Sequence, residues 1–152
     1  MCNNNQSDGN CISELLKVIQ ILQQNACNDS GLDSCDRPML GGGNNCLVCN
    51  TRPVMLYMCC GNGVPLSMPT CKDSTVTCSN TDANNTSLDC SNVFRVEKVD
   101  GNCCTFRVLA TNLDQSCCNS QPFIATNSLF TMNLDCLCIV RCLNDCYVDC
   151  VC

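Results

Sequence analysis

Apolar residues first recur at helical spacing in "NCISELLKVIQILQQNAC", Asn10 to Cys27. Ile12, Leu15, Leu16, Ile19 and Leu22 fall on one side and Lys17, Gln20 and Gln24 on the other, which predicts an amphipathic helix over about residues 11–26. Asn10 or Ser13 can cap its start, because a side-chain oxygen there accepts a free backbone N–H. Cys11 and Cys27 bracket it. The helix is expected to pack on the core, with a contribution to subunit contacts as its second use. From there to Arg52 the chain reads as loop, loosest at Gly41 to Asn45.

Beyond Pro53 the period changes to two. "PVMLYM", Pro53 to Met58, predicts a strand, and Gly61-Asn62-Gly63 a turn. Cys71 to Ser91 is polar and reads as a surface excursion. "VFRVEKVDGNCCTFRVL", Val93 to Leu109, carries two alternating runs around Asp100-Gly101-Asn102, a hairpin signal. A three-residue turn sets Phe94 against Val108, Val96 against Phe106 and Lys98 against Cys104, keeping the apolar residues on one face. Asn102 would then take the left-handed position. From Pro122 onward "PFIA", "LFTM" and "CLCIVRCL" read as further strands. One helix followed by short strands predicts a mainly β fold, a small β-sandwich or barrel-like core with one N-terminal amphipathic helix. The 152 residues suit a single cysteine-rich domain, with its β-rich core over 53–143 and a cysteine-rich tail over 144–152.

Composition sharpens this picture. There are 21 cysteines and no histidine, a cysteine content well above the roughly 8–10% that marks a disulfide scaffold. Such scaffolds belong to oxidising compartments, yet "MCNNNQSDGN" shows neither the charged nor the apolar region of a secretory signal. The expectation is synthesis in the cytoplasm without a signal peptide and oxidation later. An odd thiol count also leaves at least one cysteine free, ligated or joined to another chain. A net charge of −6 opposes nucleic acid, whose phosphates need a basic face. No apolar run approaches the roughly 20 residues of a membrane span. Twenty asparagines and few charges give a neutral polar surface that repels its own copies weakly.

Cysteine placement carries the functional reading. Cys59-Cys60, Cys103-Cys104 and Cys117-Cys118 are adjacent pairs, and neighbours on a strand point to opposite faces. Cys104 shares its face with Phe106 and Val108, so it should be buried, while Cys103 faces outward and is available to another molecule. Toward the end, Met132, Leu134, Cys136, Cys138, Val140 and Cys142 would line one face of a strand. Cys136 and Cys138 are then poor partners for each other, since residues i and i+2 lie roughly 6.6 Å apart. A helix is the alternative, because Cys138, Cys142, Cys146 and Cys150 stand at i+4 steps; their β-branched and aromatic neighbours favour a strand. Cys2, Cys150 and Cys152, near the termini, are the leading inter-subunit candidates.

Other chemistries fit less well. Cys46-Leu47-Val48-Cys49 could supply half a zinc knuckle, but no second CxxC completes it. The same pair lacks the βαβ setting of a redox centre. Hydrolysis lacks a histidine base, and Gly41 to Gly43 is not followed by the Lys-Ser/Thr of a phosphate loop. No cofactor and no enzymatic activity are expected. Purely internal stapling explains the cysteine count, but not the adjacent pairs or the odd total. The competing functional class is a zinc- or copper-thiolate protein.

"NTRP" at Asn50 to Pro53, "FRVEKVDGNCCTFRVL" at Phe94 to Leu109 and "NLDCLCIVRCL" at Asn133 to Leu143 resemble the spore coat protein Y and Z family, which includes exosporium protein Y. The resemblance covers about forty residues closely. It departs at Leu137, where the family carries an aromatic residue, and at Ile139, which is bulkier than usual. What the resemblance implies is a structural protein, made in the mother cell and laid on the developing spore. It would assemble with copies of itself and other coat proteins into hexagonally ordered, disulfide-cross-linked layers. The family's cysteines carry over to Cys103, Cys104, Cys136, Cys138 and Cys142. Extra thiols at Cys59, Cys60, Cys117, Cys118, Cys146, Cys150 and Cys152 imply denser cross-linking. Cys11 and Cys27 complete the set of candidates.

Overall fold

The structure, a computed structural model, describes residues 10–27, 49–78, 89–114 and 121–152. Helix α1 spans Cys11–Cys27. It is followed by strands β1 (Val54–Met58), β2 (Met68–Pro69), β3 (Cys90–Ser91), β4 (Val93–Asp100), β5 (Cys103–Thr111), β6 (Phe123–Asn133) and β7 (Leu137–Cys142). The fold is mainly β with one N-terminal helix. Five strands form an antiparallel sheet in the order β6-β5-β4-β1-β7, and β2 pairs with β3 as a separate ribbon.

The two edge strands of that sheet, β6 and β7, are joined only by a 3₁₀ turn at Leu134–Cys136. So short a link brings the edges together at one end, and the sheet curls around its apolar face. Leu16 and Ile19 of α1 enter the same core as Val54, Leu56, Phe94, Val96, Cys104, Phe106, Val108, Leu134 and Leu137. Phe94, Phe106 and Phe130 meet there, with ring centroids 5.0 Å (Phe94–Phe130) and 5.4 Å (Phe106–Phe130) apart. Edge-to-face and offset contacts of this kind suit the quadrupole of aromatic rings.

α1 sits in a different rotation from the one its apolar spacing predicts. Its buried residues are Ser13, Leu16, Ile19 and Gln23, whereas Leu15 and Leu22 face solvent. The cause lies in β4, which β1 accompanies only at the Val54–Phe94 pair. Past that point the edge of β4 would be left with unpaired backbone groups, and buried groups of that kind must find partners. α1 supplies them. Gln23 Nε2 donates to Val96 O at 2.7 Å, Gln20 Oε1 accepts from Val99 N at 2.9 Å, and Ser13 Oγ donates to Gly101 O at 3.0 Å. Polar side chains therefore face inward, and Gln20 lies opposite to where amphipathicity places it.

The β4–β5 hairpin keeps Phe94 against Val108 and Val96 against Phe106, then departs from the expected register. Glu97 is an extra residue in β4, so Lys98 meets Thr105, and Val99 meets Cys104. A bulge of this kind takes up one residue, leaving a two-residue turn, Gly101-Asn102, with Gly101 rather than Asn102 at positive φ (58°). Glycine reaches that region without steric cost. At the bulge the Glu97 carboxylate accepts from Arg95 Nη1 at 3.1 Å and from Arg107 Nε at 2.7 Å.

Two further expectations change. "PFIA" and "LFTM" are one continuous strand, β6, which passes its polar middle with Thr126 Oγ1 donating to Val108 O at 2.6 Å. Conversely, the single strand expected from Met132 to Cys142 is split by the 3₁₀ turn into the end of β6 and β7, so Cys136 lies in the turn and not on one strand face with Cys138 and Cys142 of β7. Of the polar excursion expected from Cys71 to Ser91, residues 79–88 lie outside the described residues, and the β2–β3 ribbon closes its neck.

Candidate cross-linking site

Three disulfides lie within the chain: Cys27–Cys152, Cys59–Cys138 and Cys78–Cys90. They join residues 125, 79 and 12 positions apart in sequence, and loop closure of this order restricts the unfolded chain by roughly 3–5 kcal/mol per bridge. Each has a structural cause. β7 runs antiparallel beside β1, and Cys59 N donates to Cys136 O at 3.0 Å, which sets Cys138 next to Cys59. The Cys78–Cys90 bridge adds to the closure of the excursion's neck. Cys152 is not a free terminal thiol, because the last ten residues fold back on the sheet. Asn50 Nδ2 donates to Val148 O and Asn50 Oδ1 accepts from Val148 N, each at 2.9 Å. Cys146 N donates to Thr51 O at 3.0 Å, and Arg52 clasps Asp145 through contacts of 2.7 and 2.8 Å. These contacts hold the tail beside the end of α1, within reach of Cys27.

The tail forms a second, smaller core on the outer face of the sheet, where Cys146 and Val148 pack against Val93 and Leu109. It also helps to bury Arg95, whose Nε donates to Thr51 Oγ1 at 3.1 Å. Burial lowers the Arg95 pKa, and the Glu97 carboxylate opposes that shift. Arg52 holds the Asp145 carboxyl below the usual carboxylate range.

The remaining ten described cysteines are unbridged: two are buried and eight exposed. Cys104 has no exposure at all, and burial pushes its thiol up to about 12. Cys146 is pushed up to about 11, first by burial and then by Cys49 and Asp145. Both stay protonated near neutral pH, and a protonated, enclosed thiol is a poor nucleophile. Cys103, beside Cys104 on β5, is exposed. Cys11, Cys49, Cys60, Cys71, Cys136, Cys142 and Cys150 complete the exposed set. Cys2, Cys117 and Cys118, and Cys46 of the CxxC pair, lie outside the described residues.

Seven of the eight exposed thiols, all but Cys71, form two groups. Cys11, Cys60, Cys103 and Cys136 gather around the β4–β5 turn. There Ser13 Oγ reaches Gly101 O at 3.0 Å, Leu134 N reaches Asn102 O at 2.8 Å, and Cys59 N reaches Cys136 O. Cys49, Cys142 and Cys150 gather where Asn50, Val54 and the tail meet, beside the C-terminal end of α1. The helix, with 17 residues and so about 25 Å in length, separates the groups. Among the described residues, no three Cys, Asp or Glu side chains are grouped so as to hold a metal ion, and no helix is long and apolar enough to cross a membrane.

A family model described as spore coat protein Z matches residues 1–145. The chain belongs to that family. No curated protein and no solved structure matches it. Membership of the spore coat protein Z family accounts for a cysteine-rich, disulfide-bonded β protein and assigns it to a spore coat structural family. The matched region stops within the Arg52–Asp145 clasp, so Cys146, Cys150 and Cys152 lie beyond it. The exposed thiol of Cys71 and the Cys78–Cys90 bridge were not singled out from sequence, and Cys49 was weighed only as half of a CxxC pair. The twelve-residue spacing of Cys78 and Cys90 around a polar stretch was the signal for that bridge.

Proposed function

We propose that this protein is a non-enzymatic structural subunit of the spore coat or exosporium. It assembles with its own copies, and with other coat proteins, into a two-dimensional, hexagonally ordered layer locked by disulfides between chains. The observation that carries this reading is a set of eight exposed, unbridged thiols on a body that already has three internal bridges. Internal stapling has no use for thiols on the outside. The two groups that seven of them form, a helix length apart, suit growth in more than one direction, because a subunit linked at a single place closes as a dimer. Repeated links turn weak contacts into lasting attachment through multivalency. Synthesis in the mother cell cytoplasm keeps these thiols reduced until the subunit reaches the spore.

Electron microscopy and non-reducing electrophoresis of recombinant protein test the reading. Ordered layers that resist dissolution until reductant is added, with inter-chain sulfur bridges in mapped peptides, are the expected result. Monomers under oxidising and reducing conditions alike would reject it.

A further inference from the structure

The exposed side of α1 has a pattern of its own. Leu15, Val18, Ile21 and Leu22 are 40%, 54%, 54% and 48% exposed. Cys11, Leu15, Val18, Leu22 and Asn25 follow one another at alternating steps of four and three residues, and all five are exposed. That is the four-three spacing of a coiled-coil seam, and it faces away from Leu16, Ile19 and Gln23, which dock the helix on the sheet. Glu14 and Lys17, the helix's charged residues, stand off the seam.

We propose that this seam is a contact between two copies of the chain, paired through α1 in parallel and in register, and locked by a disulfide between their Cys11 residues. The proposal rests on the assembly reading and names one contact within it. Parallel pairing sets each layer against its own kind. Leu15, Val18 and Leu22 meet their copies, and the Asn25 amides, each both donor and acceptor, satisfy one another. Antiparallel pairing with the same seam would put Cys11 against Leu22 and leave Asn25 beyond the start of the facing helix. No charge on the seam selects a charged partner. The apolar area offered is a few hundred Å², below the roughly 800 Å² per partner of a standard stable interface. The contact is therefore reversible by itself, and a thiol in its first layer makes it permanent.

The oxidant is a low-molecular-weight disulfide. One Cys11 thiolate attacks it, forming a mixed disulfide and expelling one small thiol. The Cys11 thiolate of the other copy then displaces the second small thiol, so the oxidant leaves as two reduced thiols and one S–S bond joins the chains.

The test oxidises the full-length protein at low concentration with oxidised glutathione and maps bridged peptides by mass spectrometry. Wild type should yield a Cys11–Cys11 peptide. Val18→Asp and Leu22→Lys, each at an exposed position, should slow its formation at least tenfold, while Val18→Ile retains it and the other inter-chain links persist. Circular dichroism identifies a variant that has lost its helix, in which case the other variant decides. Inter-chain links at other cysteines without a Cys11–Cys11 peptide, or a peptide formed equally fast in the charged variants, overturn the seam and leave the assembly reading standing. No inter-chain link at any cysteine overturns both.

Discussion

Gln23, on a helix, joins strand β4 to the segment that leads into β1: its amide nitrogen donates to Val96 O at 2.7 Å, while its amide oxygen accepts from Arg52 N at 3.1 Å. One nearly buried side chain thus closes the gap where β1 parts from β4. Gln23→Leu should leave both backbone groups unpartnered and cost about 2–4 kcal/mol, since each buried orphan group costs roughly 1–3 kcal/mol. Gln24→Leu, on the exposed side, should change stability by no more than about 0.5 kcal/mol. Urea unfolding of the two variants checks the contrast, and equal midpoints would refute it.

Adjacent thiols on β5 should react differently. Iodoacetamide at pH 8 on the folded protein should modify Cys103 and spare Cys104 and Cys146, which become reactive only in denaturant. With Cys104 pushed up to about 12, only about one molecule in ten thousand carries its thiolate at pH 8. Equal labelling of Cys103 and Cys104 in the folded state would contradict the burial described.

The same burial predicts an alkaline weakness. Folding raises the Cys104 and Cys146 pKa values above the roughly 8.5 of a free thiol, to about 12 and about 11. Their neutral forms favour the fold fully below pH 8.5, and this contribution is lost as pH rises through the folded values. Stability should fall by about 1 kcal/mol per pH unit per group above pH 9. Urea midpoints at pH 7 and pH 10, measured without oxygen, would show the slope, and Cys104→Ala should flatten it. An unchanged slope in that variant argues against the assignment.

How much of this was legible in sequence depends on how local each cause is. The strands at Val54 and Phe94 and the existence of α1 follow from periodicity within a dozen residues. The rotation of α1 does not, because Gln20 and Gln23 turn inward to serve an edge of β4 created by a strand some 30 residues away in sequence from the helix. The outward thiol of Cys103 and the enclosed one of Cys104 followed from alternation alone. The fate of Cys152 did not. It is decided by Asn50, which pins Val148 from across the fold.

Asn50→Ala should therefore loosen the tail. Losing the two hydrogen bonds to Val148 should cost about 2–3 kcal/mol and open Cys146 to iodoacetamide in otherwise native buffer. Peptide mass spectrometry reads the change. Continued protection of Cys146 would show that Arg52–Asp145 and the Cys27–Cys152 bridge suffice to hold the tail.

Breaking Cys59–Cys138 offers a check on how β7 is held beside β1. Cys138→Ser should lower stability by about 3–4 kcal/mol, as expected for a long loop freed in the unfolded chain, and add one alkylatable thiol at Cys59. Thermal unfolding together with thiol counting gives both readings. A loss below about 1 kcal/mol would mean that β1–β7 pairing alone fixes this end.

The narrow neck of the excursion has a practical consequence. Thr70 and Asp89 are hydrogen-bonded to each other across it, and the Cys78–Cys90 bridge anchors both sides, so extra sequence grafted between Cys78 and Cys90 would hang from the body by a single clamped stalk. Guest peptides, epitopes or small enzymes inserted there should leave the five-stranded sheet and its core undisturbed, which makes this position the natural place to add cargo to the subunit.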